Sequence, residues 1–194
     1  MYRNAAAISR VTRIFVFGAL IVWSPSEAAA CGYHDDVSIA RGALNWIYPD
    51  ALHVVGAISM AVADRRLRPT PVGGGLDLFG YHGTVRALDQ HAEQLRMSWG
   101  EMPRPTFSLL LIEPMLWTRF VSEGGDVRTQ VHVSGPQAGD LVVISGEEVI
   151  REIAKNRLSI GEAYRRGLIR LYGTEEQVRS FLIRYDQVGS VHSD

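Results

Sequence analysis

The stretch from Ser145 to Gln177 constrains the fold of this 194-residue chain more than any other, because it contains three helix-start signals in close succession. In each signal a serine or threonine is followed three positions later by a glutamate or glutamine, the pattern of a capping box. The two side chains of such a box bond backbone N–H groups that the first helical turn leaves without partners, which stabilises the helix by about 1 kcal/mol. Three boxes so close together predict short helices whose ends are fixed. The pairs are Ser145 with Glu148, Ser159 with Glu162, and Thr174 with Gln177.

A strand is predicted directly after the second of these helices. The helix in SIGEAYRR (159–166) should end at Gly167, since glycine most readily adopts the left-handed conformation found just after a helix. The residues LIRLY (168–172) that follow are predicted to form a strand, and the third capping box begins shortly after it. A chain that passes from helix to strand to helix in so few residues is typical of a sheet with helices packed against it.

The region before Ser145 adds one longer helix and the remaining strands of the predicted sheet. TVRALDQHAEQLRM (84–97) repeats apolar residues at helical spacing, and strands are predicted at 106–113, 115–121, 127–133 and 141–144. Val127, Thr129 and Val131 alternate with polar residues, so that strand should have one face in water. The order of elements predicts an α+β fold, in which a five-stranded sheet is covered by helices on one face.

Residues 1–30 have the layout of a signal peptide. Arginines precede the apolar run IFVFGALIVW (14–23), which is short for a membrane span, and Ala28 and Ala30 provide small residues for cleavage before Cys31. We therefore expect the protein to be exported to the periplasm. An uncleaved membrane anchor is the alternative interpretation of the same residues.

The remaining chain divides into two regions. Residues 31–75 contain a predicted helix that begins at Asp36, an apolar helix at 51–63, and the Pro/Gly segment PTPVGGG (69–75), which we interpret as a linker. Residues 76–194 hold the predicted α+β domain. Because helix 51–63 is apolar nearly all round, it should be buried against this domain or against a protein partner.

The segment DLVVISGEEVIREIAKNRLSIGEAYRRGLIRLYG (140–173) resembles the sterol carrier protein type-two-like family. The resemblance extends over roughly 84–188 and concerns the order of elements and residues that specify the fold, whereas 31–83 has no counterpart. It implies a five-stranded sheet whose helices enclose an apolar tunnel for a lipid, an acyl chain or a sterol-like molecule, with no catalytic residues. The matching positions are Val142–Ser145, Leu158–Ser159, Ala163, Gly167, Ile169–Leu171 and Gly173.

Apolar residues at inward positions are the candidates for lining such a tunnel. Burying the carbons of a ligand among them would contribute about 0.8 kcal/mol per CH₂ group. The alternative is that the same side chains fill a closed core, as inward-facing apolar residues usually do. The candidates are Leu109, Leu111, Trp117, Phe120, Ile144, Ile150, Ile153, Leu168 and Phe181.

Cys31 is the only cysteine, so the chain forms no internal disulfide. Directly after a signal peptide, it is either a plain N-terminal thiol or the acylated residue of a lipoprotein, which would attach the protein to a membrane. Cys31 and His34 could also bind a soft metal. The completing ligand would be a distant histidine, namely His53, His82 or His91. The lack of a second closely spaced ligand pair argues against this metal site.

Each of these histidines also has a simpler interpretation. His53 lies on the apolar helix and is expected to be a core residue with satisfied hydrogen bonds. His82 follows Tyr81 in GYHGT (80–84), which we expect to be a glycine-flanked surface loop. His91 has polar neighbours in sequence and is expected on the solvated face of its helix.

The sequence favours a binding protein over an enzyme. A formal net charge of −1 without a basic cluster argues against nucleic-acid binding, and no nucleophile elbow, HExxH motif or paired-carboxylate pattern is present. The leading interpretation is an exported, non-catalytic protein that holds an apolar ligand in an internal tunnel and uses no cofactor. The second is an accessory or scaffold subunit of a cell-envelope complex that docks through its apolar N-terminal helices. The third is periplasmic metal binding.

Overall fold

The computed structural model of the protein describes residues 37–70, 78–98, 105–124 and 126–190, with the side chains of 37–41 and 78–79 outside this description. The predicted signal peptide, Cys31, His34 and Asp36 therefore lie outside the described residues. The elements in chain order are α1 (Val37–Ile47), α2 (Ala51–Ala63), α3 (Leu78–Met97), β1 (Phe107–Leu111), β2 (Leu116–Glu123), β3 (Asp126–Val131), β4 (Leu141–Ser145), α4 (Glu147–Ala154), α5 (Ile160–Arg165), β5 (Ile169–Tyr172) and α6 (Glu175–Tyr185).

The five strands form one mixed sheet in the order β3-β2-β1-β4-β5. The central strands β1 and β4 are parallel, and every other neighbouring pair is antiparallel. Every residue of β1 and β4 is buried, as expected for strands that are covered on both faces. The predicted α+β class and the five-stranded sheet are confirmed.

One face of the sheet, which we call the α6 face, carries alternate β1 residues beginning with Phe107. The Phe107 ring stacks on Phe120 of β2 at a centroid distance of 4.8 Å and meets Phe181 of α6 edge-on at 5.1 Å. Tyr185, the last residue of α6, lies 6.2 Å from Phe107. From α3, the His91 ring contacts Phe120 edge-on at 5.7 Å. These aromatic contacts make the α6 face the centre of the core.

The opposite face, which we call the α2 face, is covered by α2 and the turn that precedes it. Tyr48 in that turn packs against Trp117 of β2 at 6.0 Å and against Tyr172 of β5 at 5.1 Å. Within α2, Val54 and Ile58 are among the residues buried towards the sheet. The prediction of helices on one face is therefore wrong. β1 and β4 are apolar on both faces, so the second face also needs an apolar cover.

The predicted helix starts are confirmed at Thr174, where the complete capping box forms, and at Ser159, where only the serine cap forms. At α6, the Thr174 side chain accepts from the Gln177 backbone N–H at 3.2 Å, and the Gln177 side chain accepts from the Thr174 N–H at 2.8 Å. At α5, Ser159 accepts from the Glu162 N–H at 3.1 Å. Gly167 ends α5 with a φ of 72°, in the two-bond arrangement of a Schellman motif.

The predicted cap at Ser145 is wrong. Ser145 is the last residue of β4, and its hydroxyl donates to the Leu168 carbonyl at 2.9 Å, while Gly146 occupies the N-cap position of α4 without a side-chain bond. A serine at a strand–helix junction can satisfy either a helix end or a neighbouring strand, and here the neighbouring segment takes the bond.

The helix α3 begins earlier than the sequence indicates. Tyr81 and His82 lie within α3, so the surface loop predicted at 80–84 is wrong. Thr84 Oγ1 lies 3.0 Å from the Gly80 carbonyl oxygen, one helical turn back. In the described ranges, no helix is both long enough and apolar enough to cross a membrane.

Candidate functional site

A cleft of about 540 Å³ lies between the C-terminal ends of α3 and α6, and we call it the α3–α6 cleft. Its volume falls in the range of about 300–1,000 Å³ that is usual for small-molecule sites. Three segments form its walls: the end of α3, the turn after α4, and α6 with the turn that follows it. The lining residues are Gln94, Met97, Ser98, Asn156, Ile183, Arg184, Gln187, Val188 and Gly189.

Hydrogen bonds and close packing hold these three segments together. The Gln94 side-chain amide donates to the Ala154 carbonyl at 3.0 Å and to Asn156 Oδ1 at 2.8 Å, which joins α3 to the end of α4. Gly189 has a φ of 84°, and a Cβ at this position would lie 2.3 Å from the Leu158 carbonyl oxygen. The turn after α6 therefore needs a glycine to pack against the connection between α4 and α5.

The outer part of the cleft is apolar. Met97 and Ile183 are each 64% exposed, although both are large hydrophobic side chains, and Val188 lies buried beside them. Apolar side chains gathered around a concave surface are a common feature of ligand sites. This wall gives the cleft a surface that can remove the carbons of a ligand from water.

The inner part of the cleft contains the buried guanidinium of Arg184. This residue is 9% exposed, and its Nε and Nη1 atoms find no hydrogen-bond partner among the described residues. Two other arginines that are largely covered have carboxylate partners: Arg119 pairs with Asp140, and Arg151 pairs with Glu147. Burying a cation without a partner is unfavourable, because its lost hydration is not replaced.

The residues predicted to line a tunnel lie on both faces of the sheet. Leu109, Phe120 and Phe181 belong to the α6 face, whereas Ile144 belongs to the α2 face with Trp117, which packs on Tyr48. Except for half-buried Trp117, all the candidates are buried in one continuous core cluster. They are Leu109, Leu111, Phe120, Ile144, Ile150, Ile153, Leu168 and Phe181.

None of these candidates lines the α3–α6 cleft or the two other cavities described here. One candidate, Phe181, lies on α6 about one turn before the cleft residue Arg184. The tunnel remains a prediction.

A second cavity, of about 550 Å³, borders Arg119 and the segment from His132 to Gln137. Arg119 donates to both carboxylate oxygens of Asp140 at 2.8 and 2.9 Å, and Ser108 donates to the same carboxylate at 2.7 Å. Burial raises the pKa of Asp140, but the hydrogen bonds from Arg119, Ser108 and the Gln137 backbone outweigh it and hold the pKa below its usual value. Because these charges are paired with each other, the cluster has a structural role: it joins β2 to the start of β4.

A third cavity, of about 210 Å³, lies between α3 and α4 and is lined by Gly83, Arg86, Ala87, Gln90, Arg151 and Lys155. Arg151 within it already bonds Glu147, which also accepts a hydrogen bond from Thr84 at 2.6 Å. The cavity is smaller than most ligand sites and its most covered cation is paired.

Two of the histidine predictions are wrong. His91 is 3% exposed, packed against Phe120, and burial lowers its pKa to about 4, so it does not lie on a solvated face. His53 is exposed and forms a 3.2 Å contact with Asp50, so it is not a core residue. In the ranges that the structure describes, no cluster of three or more His, Cys, Asp or Glu side chains could hold a metal ion. The candidate ligands Cys31 and His34 lie outside those ranges.

The cleft was not predicted from the sequence, although one signal for it was present. Phe181, Arg184 and Tyr185 form the buried stripe of α6, so a charged residue stands where an apolar one is expected. Such a residue at an inward position is a better indication of a site than the apolar residues around it. Met97 lines the cleft because α3 packs beside α6, and local sequence patterns do not reveal how two helices pack.

Comparison with known proteins gives only weak likenesses. No family model and no curated protein matches the chain. Among solved structures, Sterol Carrier Protein 2 Like 2 from Aedes aegypti has a TM-score of 0.37 and 17% identity, over 52% of this chain and 94% of that one. The inverting sec-alkylsulfatase Pisa1 from Pseudomonas sp. has a TM-score of 0.34 and 16% identity, over 50% of this chain and 14% of that one. A double mutant of that sulfatase has a TM-score of 0.38 and 18% identity, over 51% and 16%.

This chain therefore spans only a small part of the sulfatase. At such TM-scores none of the three likenesses bears on what the chain binds, and the α+β class rests on the sheet and helices themselves.

Proposed function

We propose that this protein is a binding protein for a lipid-type ligand, and that the α3–α6 cleft holds the apolar part of that ligand. The supporting observation is the apolar wall of the cleft, where Met97 and Ile183 remain 64% exposed. Covering these side chains with an alkyl chain contributes about 0.8 kcal/mol for each CH₂ group removed from water. The binding uses shape and burial and requires no chemical step.

The test is a titration of the protein with decan-1-ol, a neutral ligand with one alkyl chain, followed by calorimetry. Replacing Met97 and Ile183 together by glutamine should weaken binding by about tenfold or more, because the wall loses much of its apolar surface. The matched control replaces Ile47 and Met60, which are 67% and 66% exposed on α1 and α2, by glutamine. Equal affinity of the two double variants would contradict the proposal.

We also propose that the protein acts outside the cytoplasm, in the periplasm, with cleavage before Cys31. The support is the order of basic, apolar and small residues within 1–30. The intact mass of protein isolated from the cell envelope tests this directly. A chain that begins at Cys31 is expected, and an added diacylglycerol mass would identify a lipoprotein. A chain that retains Met1 in the cytoplasm would contradict export.

A second function is favoured by a separate observation, namely the apolar surface of α1 and α2 that faces away from the sheet. Trp46 is 90% exposed and Leu52 is 50% exposed, in addition to Ile47 and Met60. Such a surface suits docking onto another subunit of an envelope complex. The expected result is one stoichiometric partner that is lost from a Trp46→Ser variant and retained by the Met97/Ile183 double variant. A wild-type protein that is monomeric and has no stoichiometric partner would exclude this function.

A further inference from the structure

The α3–α6 cleft combines an apolar wall with one buried cation. Arg184 is more than nine-tenths buried, lines the cleft, and leaves Nε and Nη1 without partners among the described residues. Its neighbour Ile183 belongs to the exposed apolar wall, so the apolar and charged parts of the cleft are adjacent on α6. A ligand with the same two parts, side by side, fits this arrangement.

The guanidinium dictates the chemistry of the part that it would bind. Arginine carries its charge at all relevant pH values and offers N–H donors in a planar fork, which bonds carboxylate, sulfonate or phosphate oxygens. An unpaired cation in a covered site is costly, and an anionic oxygen would restore the hydrogen bonds that burial removed. A neutral ligand would leave this deficit in place.

None of the ion pairs among the described residues includes Arg184, and its Nε and Nη1 atoms have no partner there. Asp186, two residues further along, pairs with Arg165 at 3.2 Å. Glu152, at the end of α4, bonds Arg157 through both carboxylate oxygens. These acids are engaged elsewhere, so the anion for Arg184 has to come from outside the described residues.

We propose that the ligand of the α3–α6 cleft is an anionic amphiphile, whose charged head bonds Arg184 and whose alkyl chain covers Met97 and Ile183. This inference rests on the proposed function of the cleft and adds the charge of the ligand. The head and the chain bind together, because the apolar wall begins next to the guanidinium.

The first experiment uses the wild-type protein and three ligands in calorimetric titrations: decanoate, decan-1-ol and decyltrimethylammonium. The two ionic ligands are kept below their micelle concentrations, and decan-1-ol is kept below its solubility limit. The same chain with an anionic head should bind at least about tenfold tighter than with a neutral or cationic head. Decan-1-ol that binds as well as decanoate would overturn the inference and leave the proposed function standing. Binding of none of the three ligands would overturn both.

The second experiment separates the role of Arg184 from general electrostatic attraction. Arg184→Met keeps an apolar stem of similar length and should lower decanoate affinity by about tenfold, so that the preference for decanoate over decan-1-ol is lost. The control is Arg179→Met, since Arg179 is an exposed residue of the same helix. Equal loss of decanoate binding in both variants would overturn the inference.

Competition by phosphate in the wild-type protein keeps the inference testable even if Arg184→Met fails to fold, and it distinguishes the sources of the anion. Inorganic phosphate, added to the wild-type protein, should compete with decanoate only weakly, because it lacks the chain. Full competition by phosphate at equal concentration would overturn the amphiphile and identify a site for a free anion. Thermal unfolding of Arg184→Met without ligand should occur at or above the wild-type temperature, since the variant removes an unpaired buried charge.

Discussion

At the scale of single residues, His91 is the titratable group whose surroundings most restrict its charge. Its ring is buried against the ring of Phe120, and its Nδ1 atom has no hydrogen-bond partner among the described residues. Burial lowers the pKa of His91 from 6.5 to about 4, because the protonated ring would lose its hydration without gaining a partner. The folded protein therefore contains a neutral histidine under conditions in which the unfolded chain already binds a proton.

This difference predicts that the protein loses stability in mild acid. Between pH 6.5 and about 4 the unfolded state binds more protons at His91 than the folded state, so the free energy of unfolding falls as the pH falls. The loss should reach roughly 2 kcal/mol by pH 5. Urea unfolding at a series of pH values measures it, and a His91→Leu variant should show little change from pH 6.5 to 5. The same slope in the variant would assign the effect to other groups.

The lowered pKa of Asp140 affects the stability of the fold at lower pH values than the pKa of His91 does. Its ion pair with Arg119 stabilises the fold at pH values above the ordinary carboxyl pKa of 3.8 and is lost as the pH falls through the still lower pKa of the folded state. Glu152, whose pKa is lowered by hydrogen bonds from Arg157, behaves in the same way. Stability changes above pH 5 can therefore be assigned to His91 without interference from these two carboxylates.

At the scale of elements, helix ends explain much of what local sequence could and could not predict. The strands from β1 to β5 and the helices α4 to α6 follow from apolar alternation, capping residues and Gly167, which act within a few positions of the chain. The Thr174 box forms as predicted because both of its partners are local. Ser145 differs, since its hydroxyl bonds the Leu168 carbonyl, which only the pairing of β4 with β5 brings near. Local sequence does not contain that information.

Substitutions of Thr174 and of Ser145 should lower the free energy of unfolding by different amounts. Thr174→Ala removes the cap of α6 and should lower the free energy of unfolding by about 1 kcal/mol, whereas Thr174→Ser should preserve it. Ser145→Ala leaves a buried carbonyl without its donor and should cost about 1–3 kcal/mol. Urea unfolding at pH 7 measures all three variants. A Thr174→Ala protein as stable as the Thr174→Ser protein would contradict the role of the box.

At the scale of the whole molecule, the sheet is closed on both faces, and α2 provides the second cover. Gly146, at the junction of β4 and α4, lies directly beneath α2: a Cβ there would be 2.6 Å from the Cδ1 atom of Ile58. The sequence indicated that the helix at 51–63 needed a partner, but several apolar surfaces were available to it. The α3–α6 cleft could not be predicted for the same reason. It forms where elements that are distant in the sequence pack together, and local sequence does not specify that packing.

This packing predicts coupling between two positions that are far apart in the sequence. Gly146→Ala should destabilise the protein by about 0.5–1.5 kcal/mol, because the added methyl group meets Cδ1 of Ile58 and the end of that buried side chain has to move aside. Ile58→Ala should cost less in the Gly146→Ala background than in the wild type, which a double-mutant cycle measures. Gly56→Ala is the control: a Cβ there meets nothing within 4 Å, so it should be neutral or stabilising. Additive effects of Gly146→Ala and Ile58→Ala would contradict the contact.

Methyl NMR during a decanoate titration shows where an anionic amphiphile binds, and therefore whether it occupies the α3–α6 cleft. If the cleft is the site, the methyl groups of Met97, Ile183 and Val188 should show saturable shifts, with little change at Ile144 on the α2 face. Shifts concentrated at Ile144 and other buried core methyls would instead place the ligand in an internal tunnel. Shifts confined to the exposed methyls of α1 and α2 would contradict the cleft altogether.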